Sequence, residues 1–115
     1  MVFANAYEQV FLNQYEFNES SSIFFNMINK EVKIVNKAGM HTRPASMIVR
    51  IAAKYKAEFY ISKNGFEVNG KSIIGVMTLA AEQGSTLLLK FDGEDEIELS
   101  EEMVKFFEDG FGEPK

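Results

Sequence analysis

This 115-residue chain predicts an α+β fold, a small sheet covered on one face by helices. Two observations lead there. Four short β-rich runs and three helically spaced runs follow one another in the order β-α-β-β-α-β-α. Asn64-Gly65, between two of the β-rich runs, is a two-residue hairpin signal, since both central residues of a type I′ turn need positive φ. That hairpin requires at least one antiparallel pair.

The elements can be justified in order. Val32-Lys33-Ile34-Val35 reads as the first strand, with Val32 and Ile34 on one face. A helix is expected from about Thr42 to Tyr55, burying Ile48, Ile51, Ala52 and Tyr55. Residues 57–62 form a second strand, in which Phe59 and Ile61 alternate with Glu58 and Tyr60. Phe66 to Val68 return as the third. A short helix spans about 73–81, with Gly84 marking its exit. Residues 86–91 are the fourth strand, and a last helix covers about 96–108 with Leu99, Met103 and Phe106 inward.

Composition narrows the chemistry. The length suits one domain, and nearly half the residues are apolar, enough for a single core. There is no cysteine and one histidine, which excludes disulfides, thiol catalysis and a structural zinc site. No metal or cofactor is expected. The lack of cysteine fits a reducing cytoplasm, the expected location. No apolar run approaches the roughly 20 residues of a membrane helix. No Lys or Arg precedes Lys30, so a secretory signal is not expected either. Charge is uneven: residues 27–91 carry ten Lys or Arg against four Glu, whereas residues 92–115 carry ten acids against Lys105 and Lys115. The acidic stretch reads as the solvated face of the last helix. The basic body suits an acidic protein partner better than nucleic acid, because its cations are scattered and no nucleic-acid motif accompanies them.

The single histidine stands in Gly39-Met40-His41-Thr42-Arg43-Pro44, directly before a helical pattern. Proline is tolerated in the first turn of a helix, so a helix starts near Thr42 and its free N–H groups point toward His41. Such an end attracts anions. Arg43 adds a permanent cation with a forked donor set suited to phosphate oxygens. A neutral imidazole there can take up a phosphoryl group near neutral pH; the plainer alternative is a surface histidine at a helix start. No carboxylate–histidine pair or second nucleophile is suggested near the motif, so the site is not read as self-sufficient. In Gly70-Lys71-Ser72-Ile73-Ile74-Gly75-Val76-Met77, Ser72 is an N-cap before a second helix. That helix is apolar on almost every side. Ile73, Ile74 and Met77, with Met47 from the first helix, are expected to form an exposed apolar patch beside His41, rimmed by Arg50 and Lys71.

Together, Met40-His41-Thr42-Arg43-Pro44-Ala45 and the run from Val68 to Met77 resemble the two signature segments of the HPr family. These are the histidine-containing phosphocarriers of the bacterial phosphoenolpyruvate-dependent phosphotransferase system. The resemblance extends from about Lys30 to Gly112. It implies an open-faced β-sandwich, βαββαβα, whose four-stranded antiparallel sheet has the order 1-4-2-3 and is covered on one face by three helices. It also implies a carrier rather than an enzyme. Nδ1 of His41, with Arg43 and Thr42, receives the phosphoryl group from enzyme I and passes it to the enzyme IIA component of a sugar permease. The resemblance further implies regulatory phosphorylation of Ser72 by HPr kinase/phosphorylase, in some bacteria creating a co-regulator of transcription. Partner binding falls on Met47, Arg50, Lys71, Ile73, Ile74 and Met77, and a monomer without membrane insertion or nucleic-acid binding is expected. Ala38 stands where relatives often carry a small polar residue, so the histidine loop is expected to lack one hydrogen bond.

Two alternatives compete with the carrier. One is a regulatory module signalling mainly through Ser72, or a nitrogen-type phosphotransfer branch without sugar transport; the other is a small RNA-binding domain. Residues 1–26 hold seven aromatic residues, including Phe24 and Phe25, and no cation. They read as an added helix, as a disordered arm, or as leader sequence ahead of a start at Met27; residues 27–115 are the expected carrier domain.

Overall fold

The computed structural model describes residues 27–115; the three readings of residues 1–26 lie outside the described residues. The strands are β1 (Ile28–Lys33), β2 (Glu58–Lys63), β3 (Phe66–Asn69) and β4 (Thr86–Asp92). The helices are α1 (Thr42–Ala52), α2 (Ile73–Thr78) and α3 (Glu96–Glu108), followed by a 3-10 turn at Gly110–Gly112. All strand pairs are antiparallel, and the sheet order is β1-β4-β2-β3, the expected 1-4-2-3.

The period-two pattern decides which face is covered. Val32, Phe59, Ile61, Val68, Leu87, Leu89 and Phe91 are buried toward the helices. Register places Phe59 opposite Phe91, and their rings stack at 4.9 Å. Ala45, Ile48 and Ala52 from α1, Val76 from α2, and Leu99, Met103 and Phe107 from α3 complete the core. Each large apolar side chain buried in this way stabilises the fold by about 1.5–3 kcal/mol.

Several element ends differ from the sequence reading, each for a local reason. β1 begins four residues earlier than expected and stops at Lys33, because its register with β4 runs from Ile28 opposite Phe91 to Lys33 opposite Thr86. Helix α1 stops at Ala52: the amides of Lys54 and Tyr55 bond the carbonyls of Ile51 and Ala52, a tighter i−3 turn. Tyr55 then ties this end to α3, its hydroxyl donating to Glu102 at 2.6 Å. Helix α2 ends at Thr78, and Ala80 rather than Gly84 makes the left-handed exit, at φ +49°. On α3, Phe107 is fully buried while Phe106 is only partly so, the reverse of the expected inward residue.

Candidate functional site

His41 is the N-cap residue of α1, with extended backbone (φ −134°, ψ −172°). Its carbonyl accepts the amide of Ala45 at 3.0 Å, which closes the first helical turn. The amides of Thr42 and Arg43, preceding that bond, have no acceptor within the helix, and Pro44 has none to offer. The imidazole is 42 % exposed and the Arg43 side chain 49 %. The sequence-level reading of an accessible imidazole at a helix start, beside an arginine, therefore holds as geometry.

One neighbour corrects the expectation that no carboxylate pairs with His41. Glu113 supplies the carboxylate partner not expected near His41: both its oxygens lie 3.0 Å from His41 Nε2. Arg43 Nη1 donates to Glu113 Oε2 at 2.7 Å and to the Phe111 carbonyl at 3.0 Å. Asn36 Nδ2 donates to Glu113 Oε1 at 2.8 Å. The Glu113 carboxyl is held down to about 2, first by the hydrogen bond from His41 and further by those from Asn36 and Arg43, against the opposing effect of burial. Ionised, it can only accept; the ring proton therefore sits on Nε2 and the neutral imidazole presents its lone pair at Nδ1.

The C-terminal segment is fixed well enough to hold that carboxylate. Phe111 is buried at φ +59°, its ring 5.1 Å from Phe106 and 5.0 Å from Phe107. Glu113 N bonds the Gly110 carbonyl, and the Lys37 amide bonds the Pro114 carbonyl at 2.9 Å. No sequence pattern announces this closure across 72 residues, and nothing in the acidic stretch 92–115 sets Glu113 apart from its solvated neighbours.

The histidine loop is braced from below. Asn36 Nδ2 also donates to the Gly39 carbonyl at 3.0 Å, and Met40 N bonds the Ala81 carbonyl at 2.8 Å. Gly39, at φ +71°, lies so close to the Ala81 carbonyl that a Cβ would approach its oxygen to 2.9 Å. Ala38 has no polar side chain to brace this loop; Asn36 does so through the Gly39 carbonyl.

Ser72 caps α2, its Oγ accepting the Gly75 amide at 3.0 Å. The short helix divides as its composition suggests: Val76 and Leu79 are buried, while Ile73, Ile74 and Met77 are 39 %, 78 % and 40 % exposed. Thr42 Oγ1 donates to Met77 Sδ at 3.8 Å, so the histidine site and this patch are contiguous. Met47 and Arg50 line an open depression on α1 with Ile51 and Lys54. Lys71 is partly engaged, donating from Nζ to the Tyr55 carbonyl at 2.8 Å. Among the described residues no group of three potential ligands could hold a metal ion. No helix there is long and apolar enough to cross a membrane.

Residues 28–109 match the family model described as the PTS HPr component phosphorylation site. This chain belongs to the HPr family. It is 38 % identical over 87 residues to the phosphocarrier protein HPr of Neisseria meningitidis serogroup A, covering 76 % of this chain and 98 % of that one. It is 42 % identical over 82 residues to the HPr-like protein Crh of Halalkalibacterium halodurans, covering 71 % and 98 %. The crystal structure of HPr-C-His from Thermoanaerobacter tengcongensis aligns with a TM-score of 0.73 at 36 % identity, covering 76 % of this chain and 99 % of that one. As an HPr-family phosphocarrier of the phosphotransferase system, the protein carries a group rather than catalysing a reaction.

Proposed function

We propose that this HPr-family protein accepts a phosphoryl group on Nδ1 of His41 from enzyme I and delivers it to the enzyme IIA component of a sugar permease. Residues 27–115 are the carrier domain in this reading. The observation that carries it is the pairing of His41 Nε2 with ionised Glu113, which leaves the Nδ1 lone pair as the nucleophile. Nδ1 bonds to phosphorus as the donor's bond to phosphorus breaks, and that electron pair leaves with the donor. The ring keeps its Nε2 proton, and the positive charge it gains faces the Glu113 carboxylate. Arg43 and the first amides of α1 receive the phosphoryl oxygens, with Thr42 beside them. A site this open supplies positioning and charge but no general base, consistent with a carrier whose partners complete the reaction.

The partners dock on Ile73, Ile74, Met77 and Met47, with Arg50 and Lys71 as the basic rim. Apolar side chains this exposed beside the site favour recurrent, short-lived contact with several proteins. Incubation with labelled phosphoenolpyruvate and enzyme I tests the proposal. Acid-labile label is expected on the wild type and absent from His41→Ala; its absence from folded wild type overturns the reading.

A second reading is favoured by the position of Ser72 within that patch. Phosphate on Ser72 adds about −1.5 to −2 charges to the docking face. Transfer from enzyme I is then weakened, and the protein serves as a regulatory module toward HPr kinase/phosphorylase and a transcription regulator. Acid-stable label on Ser72 with ATP and such a kinase, without label on His41, supports this module; label on His41 that no sugar permease accepts points instead to a nitrogen-type branch.

A further inference from the structure

Asn36 is fully buried, and its amide does two things at once. Nδ2 donates to the Gly39 carbonyl at 3.0 Å and to Glu113 Oε1 at 2.8 Å, whereas Oδ1 has no partner among the described residues. A buried acceptor left unpaired costs about 1–3 kcal/mol, so the orientation needs a reason. Reversing the amide would set Oδ1 against two other oxygens, a carbonyl and a carboxylate. The orientation is therefore imposed by Gly39 and Glu113, one on each side of the histidine.

We infer that Asn36 is a positioning residue of the phosphoryl-acceptor site: it holds the Glu113 carboxylate against Nε2 of His41 and so keeps Nδ1 as the unprotonated nitrogen. Arg43 alone cannot do this. Its Nη1 meets Oε2, and arriving phosphoryl oxygens compete for that same guanidinium. Asn36 grips Oε1 from the interior, out of reach of the phosphoryl group, so the carboxylate keeps one fixed donor while Arg43 turns to its new ligand. Among the described residues the charged groups paired at the imidazole are Glu113 from the C-terminal segment and Arg43 from α1; the α2 segment Ile73–Thr78 contains none.

The inference rests on His41 as the acceptor, but its decisive measurement does not require phosphorylation. Long-range proton–nitrogen NMR spectra of the unphosphorylated full chain report which ring nitrogen carries the proton. Wild type is expected to show the Nε2–H form; in Asn36→Ala the population shifts toward Nδ1–H, and transfer from enzyme I falls about tenfold. In a Glu113→Ala background, adding Asn36→Ala should change the tautomer ratio no further, because the group it acts through is gone. An unchanged ratio in Asn36→Ala, or an equal shift in both backgrounds, overturns the inference and leaves Asn36 a loop brace through Gly39. Asn36→Leu, which fills the same space without a donor, gives the same reading should the alanine variant fail to fold. Failure of phosphorylation in wild type with the NMR result intact would instead overturn the acceptor role of His41.

Discussion

Arg43 and Glu113, 70 positions apart in the chain, form an ion pair of 2.7 Å, and the same carboxylate meets His41 Nε2 at 3.0 Å. The pair ties the segment around Glu113 to the site. Several consequences can be measured.

The first is acid sensitivity. Glu113 titrates at about 2 in the fold against an ordinary value of 4.5. A carboxyl with a depressed folded value stabilises the protein fully above its unfolded value and loses that contribution as pH falls through the folded one. Wild type should therefore exceed Glu113→Gln in melting temperature at about pH 5. The margin should shrink between about 4.5 and 2. Parallel melting curves across that range check it; a margin independent of pH contradicts the assignment.

Arg43→Lys should leave the fold intact but slow phosphoryl transfer. A guanidinium can keep one donor on the Phe111 carbonyl while its other nitrogen meets a phosphoryl oxygen, and a single ammonium cannot place donors so far apart. Loss of one charge-assisted hydrogen bond, about 1.5–3 kcal/mol, predicts a rate lower by roughly 10- to 100-fold. Rapid-quench transfer from phosphorylated enzyme I measures it.

Substitutions at Ser72 separate capping from charge. Ser72→Ala removes the acceptor of the Gly75 amide and should cost about 1 kcal/mol. Ser72→Asp keeps an acceptor at the cap, so denaturation midpoints should fall less than for alanine. Transfer from enzyme I should show the opposite order, the aspartate variant being slower because its charge lies in the docking face.

Ile74, 78 % exposed, has almost no structural role to lose. Ile74→Glu should change stability by less than about 0.5 kcal/mol. Its affinity for enzyme I should fall markedly, as read by calorimetric titration.

Two backbone positions should respond in opposite directions. Ala80 is exposed and sits at φ +49°, where glycine is less strained; Ala80→Gly should stabilise by about 0.5–1 kcal/mol. Gly70 lies against the Phe59 ring, which a Cβ would overlap. Gly70→Ala should therefore destabilise by about 1–3 kcal/mol, as overpacking does. Urea unfolding reports both.

Much of the fold was legible because it depends on short-range pattern. The alternation of Phe59 and Ile61, the Asn64-Gly65 turn and the Leu99–Met103 spacing each place one strand, hairpin or helix without reference to the rest of the chain. Boundaries were less legible. Lys30 interrupts the apolar face of β1, so only pairing with β4, Lys30 opposite Leu89 and Ile28 opposite Phe91, shows that the strand reaches back to Ile28. Ala80 carries no mark of a left-handed exit; Lys63 Nζ, reaching the Leu79 and Ala80 carbonyls at 3.4 Å, comes from another element. Sequence likewise placed His41 and Arg43 at a helix start, since proline and helical spacing act over a few residues.

What sequence alone determined, then, is the order of elements, the covered face of the sheet, the helix that begins just after His41 and the cap at Ser72. Tertiary structure alone decided that Glu113 closes on His41 and Arg43, and that buried Asn36 supports it from beneath. Periodicity and capping are properties of neighbouring residues. A contact between residues 72 apart exists only once Phe111 has anchored the chain end in the core, and no local pattern encodes that meeting.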